Sequence, residues 1–304
     1  MSYLFGMHIR SFRCNNMNDT QSIIKDLTGY TPTWCAGCGN FGIIRAIRLA
    51  LADQNLKASD IFVTFDIGCS GNMNDFLNAN SMHTLHGRAI PTAIGIKLAH
   101  HTKPVLVIGG DGGLYGEGGN HLLHACRGNH DITVIAHDNM VYGLTTGQVA
   151  PTANKGYKSR STPTGIIETP INVLSLTITQ GASFVAQTFA NDAKHMAEMI
   201  KLGMQHKGFS LINILQPCVT FNKVNTFEYF LKNSYKLDTS HNPESLEMAL
   251  QKALESTHER FPLGVVYQDK SRLPFHEDLL GLTQTTVLDA QRYTDYDSLL
   301  QRLS

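Results

Sequence analysis

From residue 40 to residue 217 the chain alternates between two hydrophobic patterns, one typical of helices and one typical of buried strands. Phe41, Ile44 and Ile47 recur at helical spacing, and the apolar run 61–65 that follows has the composition of a buried strand. Helical patterns recur at 92–100, 120–127 and 193–204, and strand patterns recur at 105–108, 132–136, 183–186 and 211–215. Because strands separated by helices pair in parallel, the sequence predicts an α/β fold with a doubly wound, mostly parallel sheet that ends near Pro217.

The chain is long enough for one large domain with additions at its ends. We expect an N-terminal arm at 1–30, where little periodicity is visible, and a domain at 31–220 that carries the chemistry. Residues 221–304 are more polar and contain a helical pattern at 243–256 and a strand pattern at 263–267. This part is predicted to be a C-terminal extension packed on the core or on a partner subunit.

Charge and cysteine usage exclude several classes of protein. Lysine and arginine number 25 together, as do aspartate and glutamate, and no long run of like charge occurs, which argues against nucleic-acid binding. The absence of a long apolar stretch and of a signal-peptide pattern argues against a membrane protein and predicts a cytoplasmic one. The six cysteines are then more consistent with metal or cluster binding than with disulfides.

Glycines and oxygen ligands follow two of the predicted strands. Gly109–Gly113 comes directly after the strand at 105–108 and includes Asp111, while Asn139 and Val141 come after the strand at 132–136. In open α/β sheets ligands bind beyond the carboxyl ends of the strands, so these residues are expected to lie together. Glycines let the backbone approach a diphosphate, and carboxylate, amide and backbone oxygens suit Mg²⁺. The pattern predicts a magnesium-diphosphate site.

A nicotinamide site is disfavoured by the same segment. The dinucleotide fingerprint G-x-G-x-x-G needs a third glycine, and this chain has Tyr115 when the count starts at Gly110 and His121 when it starts at Gly116. The glycine loop therefore does not predict a Rossmann dehydrogenase.

Four cysteines are placed so that they can share one inorganic site. Cys35 and Cys38 are separated by two residues, and Cys69 and Cys218 each follow a predicted strand. Four converging thiolates hold either an iron–sulfur cluster or structural zinc, and the spacing alone does not distinguish them. The two other cysteines are interpreted as small apolar residues, namely Cys14 and Cys126.

The order of the motifs resembles the β subunit of 2-oxoacid:ferredoxin oxidoreductases. The motifs are W-C-x-G-C-G at 34–39, I-G-C-S at 67–70, H-G-R at 86–88, G-D-G at 110–112 and D-N-x-x-Y-G-x-T-x-G-Q at 138–148. The resemblance covers residues 31–220, and the G-D-G…N pair within it is similar to the motif that anchors thiamine diphosphate through magnesium.

The resemblance implies a set of ligands. It implies a [4Fe–4S] cluster on Cys35, Cys38, Cys69 and Cys218, and Mg²⁺ on Asp111, Asn139 and Val141. The residues implied to contact thiamine diphosphate are Ile67, Gly68, Cys69, Ser70, His86, Gly87, Arg88, Gly110, Gly112, Gly113, Gly143 and Leu144.

The implied activity is the oxidative decarboxylation of a 2-oxo acid to acyl-coenzyme A and carbon dioxide. Electrons would pass through the cluster to ferredoxin, and an α subunit would be the partner chain. That α subunit is expected to supply the glutamate that activates the cofactor, so no catalytic acid or base is assigned here, and Glu117 is interpreted as a helix N-terminal residue. The resemblance favours 2-oxoglutarate slightly over pyruvate as the substrate.

Two departures from the family pattern and two alternatives remain. Gly113 stands where family members commonly have a second aspartate, and Thr146 stands where several have lysine or glycine. A lysine at 146 could pair with an anionic substrate, so its absence leaves the choice of 2-oxo acid open. The alternatives are a non-redox thiamine-dependent decarboxylase or synthase with structural zinc, and a non-catalytic assembly or regulatory subunit that retains the fold.

Overall fold

The computed structural model describes residues 17–256, 260–279, 286–287 and 300–301. Its strands are β1 Phe62–Phe65, β2 Asn80–His83, β3 Val105–Gly110, β4 Thr133–Asp138, β5 Val141–Tyr142, β6 Gln148–Val149, β7 Phe184–Phe189, β8 Ser210–Leu215, β9 Ser234–Lys236 and β10 Phe261–Gln268. Within the described ranges, eight of them form one sheet in the order β2-β1-β3-β4-β8-β7-β10-β9, and β5 and β6 form a small hairpin. All neighbouring pairs of the large sheet are parallel except β10 and β7, which confirms the predicted, mostly parallel α/β fold.

Helices cover both faces of the sheet. They are α1 Met17–Asp26, α2 Asn40–Asp53, α3 Ala89–Ala99, α4 Gly119–Gly128, α5 Val173–Thr179, α6 Ala193–Gln205, α7 Phe227–Asn233, α8 Leu246–Glu255 and α9 Phe275–Asp278. Side chains alternate along β3, so that Leu106 and Ile108 pack in one core with α1, α2 and α6, while Val105 and Val107 pack in the other core with α3, α4, α5 and α8. Two cores on opposite faces are the packing of a doubly wound sheet.

The two ends of the chain differ from the sequence expectations in detail. Part of the expected arm forms α1, because Ile23 and Leu27 are buried against α2. The sheet does not end near Pro217, since β10 pairs antiparallel with β7 and β9 pairs with β10. A third core forms there around Phe189, Phe230 and Phe261. No helix among the described residues is both long and apolar enough to cross a membrane.

Four adjacent strands direct their carboxyl ends to one edge of the sheet. These are β1, β3, β4 and β8, which are neighbours in the order given above and are parallel to one another. The loops that follow them begin at Asp66, Asp111, Asn139 and Gln216. The sheet order therefore brings the glycine loop, the asparagine loop and two of the cysteines to one place.

Candidate cofactor pocket and cysteine cluster

Two cavities lie side by side at this edge of the sheet. The first, which we call the cofactor pocket, has a volume of about 60 Å³. It is lined by Ile67, Gly68, Cys69, Ser70, His86, Gly110, Asp111, Gly112, Gly113, Asn139, Val141, Tyr142, Gly143, Leu144 and Thr145. The structure thus brings together all the residues expected to bind magnesium or thiamine diphosphate except Gly87 and Arg88. Tyr142 and Thr145 are lining residues to which the sequence motifs assign no role.

Asp111 is buried at the floor of this pocket. Its carboxylate accepts hydrogen bonds from the backbone N–H of Met140 at 2.8 Å and from the Thr152 hydroxyl at 2.5 Å. Burial, and next the charge of Asp138, raise the pKa of Asp111 well above the usual range of a carboxyl. A divalent cation would offset the cost of a buried carboxylate, so the residue fits a metal ligand.

The second oxygen ligand is oriented by its neighbours. The Asn139 side-chain oxygen accepts from the Val141 N–H at 3.0 Å, while its amide nitrogen donates to the Gln216 side-chain oxygen at 3.1 Å. Met140 has a φ of 63°, which is unusual for a residue other than glycine and turns the chain sharply between Asn139 and Val141. Asn139 and Val141 therefore both line the pocket with Asp111, and their oxygens form a donor set that fits Mg²⁺.

Glycines shape the wall of the pocket. Gly68 has a φ of +127° and a Cβ there would meet nothing within 4 Å, so its backbone is open to the cavity. A Cβ on Gly112 would lie 2.3 Å from the Tyr142 ring. The loop that contains Gly112 forms a π-helical turn, Gly112–Glu117, a rare geometry that is frequent at functional sites.

Asp66 explains why residue 113 is a glycine in this chain. The Asp66 side chain is fully buried, and its Oδ1 accepts from the Gly87 N–H at 2.8 Å. Its Oδ2 has no hydrogen-bond partner among the described residues and lies 1.7 Å from where a Cβ on residue 113 would be. Burial raises the pKa of Asp66. The carboxylate thus fills the space that a side chain at 113 would need, a contact that no sequence pattern reveals.

The H-G-R motif lies beside the pocket, but its three residues have different surroundings. His86 lines the pocket, and its Nδ1 is 3.3 Å from a Glu117 carboxylate oxygen. The same carboxylate accepts from the Tyr142 hydroxyl at 3.1 Å, so Glu117 joins two lining residues and does more than begin a helix. The Arg88 guanidinium donates to the carbonyl oxygens of Gly87 and Glu117 at 3.2 and 3.3 Å, which holds the two loops together outside the cavity.

The four expected cluster ligands all line the second cavity, which we call the cysteine cavity. Its volume is about 200 Å³. A Cβ on Gly143 would lie 3.5 Å from the Cys69 sulfur and 3.6 Å from the Cys218 sulfur, which are ordinary contact distances, so both thiols pack against this residue. Burial first, and to a smaller extent the charges of other cysteines, raises the pKa of the Cys38 and Cys69 thiols to about 11. Thiolates at these positions would need a cationic centre, which fits a metal cluster.

Neighbouring residues support the cysteines. The Trp34 indole N–H donates to the Cys69 carbonyl at 2.7 Å, which ties the C-x-x-C segment to the loop after β1. Gln216 donates to the Cys38 sulfur at 3.5 Å. No three His, Cys, Asp or Glu side chains in the described ranges converge closely enough to hold a single metal ion, and the four cysteines instead line one cavity.

The other positions named from the sequence lie elsewhere. Cys126 is fully buried within α4, and burial raises the pKa of its thiol, as expected of an apolar packing residue. Cys14 lies outside the described residues. Thr146 has a φ of +77°, a conformation that glycine adopts more readily than other residues, and it lines a different, open cavity and not the cofactor pocket.

The two cavities share a wall. Cys69, Asn139, Gly143 and Leu144 line both of them. A group bound in the first cavity would therefore be separated from a group bound in the second only by this layer of residues.

Comparison with known proteins identifies the family. The model of the thiamine pyrophosphate enzyme C-terminal TPP binding domain matches residues 66–214, and the model of the C terminal of the pyruvate ferredoxin oxidoreductase beta subunit matches residues 218–284. A 2-oxoacid:ferredoxin oxidoreductase subunit beta from a Sulfolobus species is 40% identical over 291 residues, which cover 91% of this chain and 94% of the relative. The one from Saccharolobus solfataricus is 43% identical over 249 residues, which cover 78% of this chain and 82% of the relative.

A solved structure agrees with this assignment. It is 2-oxoglutarate:ferredoxin oxidoreductase from Magnetococcus marinus with 2-oxoglutarate, coenzyme A and succinyl-CoA bound, which matches with a TM-score of 0.85 and 34% identity over 92% of this chain and 96% of that chain. The resemblance read from the motifs is confirmed: this chain, an oxidoreductase subunit with a thiamine-diphosphate-binding domain, belongs to the family of 2-oxoacid:ferredoxin oxidoreductase β subunits.

Proposed function

We propose that this chain and an α subunit together oxidise a 2-oxo acid to acyl-coenzyme A. The reaction would convert one 2-oxo acid, one coenzyme A and two oxidised ferredoxins into one acyl-coenzyme A, one carbon dioxide, two reduced ferredoxins and one proton. Mg²⁺ and the diphosphate end of thiamine diphosphate would occupy the cofactor pocket, which at about 60 Å³ is too small for the whole cofactor, and a [4Fe–4S] cluster would occupy the cysteine cavity. The observation that carries the proposal is the wall that the two cavities share at Cys69, Asn139, Gly143 and Leu144.

Thiamine diphosphate supplies a carbanion nucleophile and an electron sink for decarboxylation. In the proposal, Asp111, Asn139 and Val141 hold the magnesium that anchors the diphosphate. The open backbone of Gly68 lets the diphosphate approach the main chain. The glutamate that activates the cofactor would come from the α subunit.

The size of the cysteine cavity favours a cluster over zinc. A tetrathiolate zinc site is filled by one ion about 2.3 Å from each sulfur. The four cysteines here line one cavity of about 200 Å³, and no three of them lie close enough together to hold a single ion. A cluster binds each thiolate through a different iron and fills more space, and we assign the cavity to it.

We propose 2-oxoglutarate as the substrate, ahead of pyruvate. The support is the Magnetococcus marinus relative, whose structure has 2-oxoglutarate and coenzyme A bound. The domain at 31–220 would carry both sites, with residues 221–304 as an extension of it.

Anaerobic co-expression with the α subunit tests the function. The purified complex should be brown, contain about four irons per β chain, and reduce a viologen dye when a 2-oxo acid and coenzyme A are added together. Rates across 2-oxoglutarate, pyruvate and branched-chain 2-oxo acids should be highest with 2-oxoglutarate.

Two variants make the cluster assignment specific. Cys218→Ala should lose most of the iron and the dye reduction, whereas the matched change Cys126→Ala, in the helix core, should keep both. Stoichiometric zinc without iron, or carbon dioxide release without any electron acceptor, would instead support a non-redox decarboxylase.

A further inference from the structure

Two segments next to the cysteine cavity carry positive charge and no negative charge. Residues 144–167 contain Lys155, Lys158 and Arg160, and residues 216–227 contain Lys223, with no aspartate or glutamate in either segment. Acidic and basic residues are equal in number over the whole chain. The charge is therefore unevenly distributed, and the excess of cations lies beside the cysteines.

These segments are joined to the cysteine cavity by a common wall. Lys158 and Arg160 line an open cavity of about 640 Å³ together with Thr220 and Phe221, and the last two also line the cysteine cavity. The Tyr157 hydroxyl donates to the Phe221 carbonyl at 3.0 Å, which fixes one segment against the other. The surface that carries the cations thus continues directly into the outer wall around the cysteines.

The cations are available to a partner. Lys155, Lys158, Arg160 and Lys223 are all exposed, and none of them makes an ion pair with a carboxylate in the part of the chain that the structure describes. Lys223 donates to the Val219 carbonyl at 2.5 Å, which holds its charge over the segment that follows Cys218.

Apolar side chains stand next to these charges. Leu144 and Val224, one from each segment, are 49% and 52% exposed. A surface with exposed apolar groups bordered by like charges is typical of a protein-binding face, in which apolar contacts add affinity and the charges set orientation.

We propose that this basic face, defined by Lys155, Lys158, Arg160, Lys223 and the Phe221 edge, docks an acidic one-electron carrier protein of the ferredoxin type. The proposal rests on the proposed function, because it assumes that the cysteine cavity holds a cluster. In the docked complex one electron passes from the reduced cluster to one oxidised carrier, and two carriers dock in succession for each 2-oxo acid oxidised. No proton moves in this step.

Position and charge both favour a protein over a small anion at this face. Its cations are spread across two segments and are solvated, whereas sites for small anions gather donors around one enclosed point. The face also adjoins the cysteine cavity, so a carrier bound there need not enter the cofactor pocket. Complementary charge would accelerate encounter with an acidic carrier and orient it toward Phe221.

Binding of oxidised ferredoxin to the intact αβ complex tests the proposal without requiring turnover. Calorimetry at low and at moderate salt should give a Kd that rises with ionic strength in the unmodified complex. In a Lys158→Glu/Arg160→Glu variant the Kd should be higher by at least about tenfold at low salt, and its dependence on salt should be weaker. A Lys158→Gln/Arg160→Gln variant, which removes charge without reversing it, should give a smaller change in the same direction.

A matched variant on the opposite edge of the sheet controls for net charge. Lys207 precedes β8 and Lys270 follows the antiparallel β10, so both lie at the amino ends of the central strands. Lys207→Glu/Lys270→Glu changes the net charge by the same amount and should leave the ferredoxin Kd within about twofold.

Steady-state rates separate this proposal from the proposed function. The Lys158→Glu/Arg160→Glu complex should reduce viologen dye as fast as the unmodified complex, while its KM for ferredoxin rises. An unchanged Kd for ferredoxin, or an equal change in the control variant, would overturn the docking face. A raised KM for coenzyme A with an unchanged Kd for ferredoxin would overturn it too and assign the cations to coenzyme A. A complex that binds ferredoxin as predicted but reduces no dye would count against the enzymatic function alone.

Discussion

Replacing Gly113 by alanine should destabilise the protein because the new methyl group would overlap a buried carboxylate. The alanine Cβ would lie 1.7 Å from the Asp66 Oδ2, about half an ordinary carbon–oxygen contact distance. The carboxylate cannot turn away freely, since its Oδ1 accepts from the Gly87 N–H at 2.8 Å. Overpacking of a core costs about 1–3 kcal/mol, and leaving the buried Gly87 N–H without its acceptor costs about 1–3 kcal/mol more. A loss of at least about 2 kcal/mol is expected.

Thermal unfolding of the αβ complex measures this loss. The unfolding entropy is about 2.1 cal/mol/K per residue, so for a chain of 304 residues about 2 kcal/mol corresponds to a fall in Tm of roughly 3 °C. Gly95→Ala is the matched control, because Gly95 lies within α3 and a Cβ there would meet nothing within 4 Å. Helix propensity then favours alanine, so this variant should be as stable as the unmodified protein or slightly more stable.

A double-mutant cycle with Asp66→Ala tests the cause. When the carboxylate is absent, the Gly113 methyl group has room, so Gly113→Ala should cost less than about 1 kcal/mol in the Asp66→Ala background. The double variant should therefore be more stable than the sum of the single losses predicts. Additive losses, or a Gly113→Ala variant with an unchanged Tm, would show that the Asp66 carboxylate does not occupy this space.

Three other changes have definite expected results. Asp111→Asn keeps the shape of the buried side chain but removes its charge. In calorimetry with Mg²⁺ present, thiamine diphosphate should bind at least about 100-fold more weakly, a loss of about 2.7 kcal/mol of binding free energy. An unchanged affinity would exclude Asp111 as the magnesium ligand. Gln216→Leu removes the N–H donor to the Cys38 sulfur, so the cluster should become harder to reduce, and redox titration followed by EPR should give a more negative midpoint potential. Burial lowers the pKa of His206, whose Nε2 is 2.7 Å from the Ser183 hydroxyl. Below about pH 6.5 the unfolded chain therefore binds a proton at this residue that the folded chain does not bind. The protein consequently becomes less stable as the pH falls. Between pH 7.5 and 5.5 the unfolding free energy of His206→Gln should decline less steeply than that of the unmodified protein, by up to about 1.4 kcal/mol per pH unit. If the two proteins lose stability in parallel over this pH range, His206 is not the group responsible.

Elements with a strong hydrophobic period can be predicted from the sequence. β3 and β4 are buried on both faces, and their apolar runs predict them within a few residues of their observed bounds. The sequence does not predict β2, because all four of its residues are exposed and it has no apolar pattern. The antiparallel pairing of β10 with β7 is not predicted for another reason: the strand pattern at 263–267 is visible, but nothing local in a strand specifies its neighbour.

The candidate site shows the same division between local and distant information. Residues in the loop just after a strand, such as Asp111 and Cys69, can be assigned to one edge of the sheet from their position alone. The contact of Asp66 with residue 113 and the pairing of Glu117 with His86 join loops that are far apart in sequence. These contacts depend on how the loops fold back over the strand ends, and motif spacing does not contain that information.

Gln216 shows how the two cavities could influence each other. Its amide N–H donates to the Cys38 sulfur, which leaves its oxygen to accept from Asn139. The Asn139 amide group is thereby oriented with its nitrogen toward Gln216, and its oxygen is left for the proposed magnesium site. A thiolate at Cys38 would strengthen the first hydrogen bond and so hold both amides in this orientation. Because coupling between two binding sites is reciprocal, a loaded cluster should tighten magnesium and thiamine diphosphate binding, and bound cofactor should help to retain the cluster.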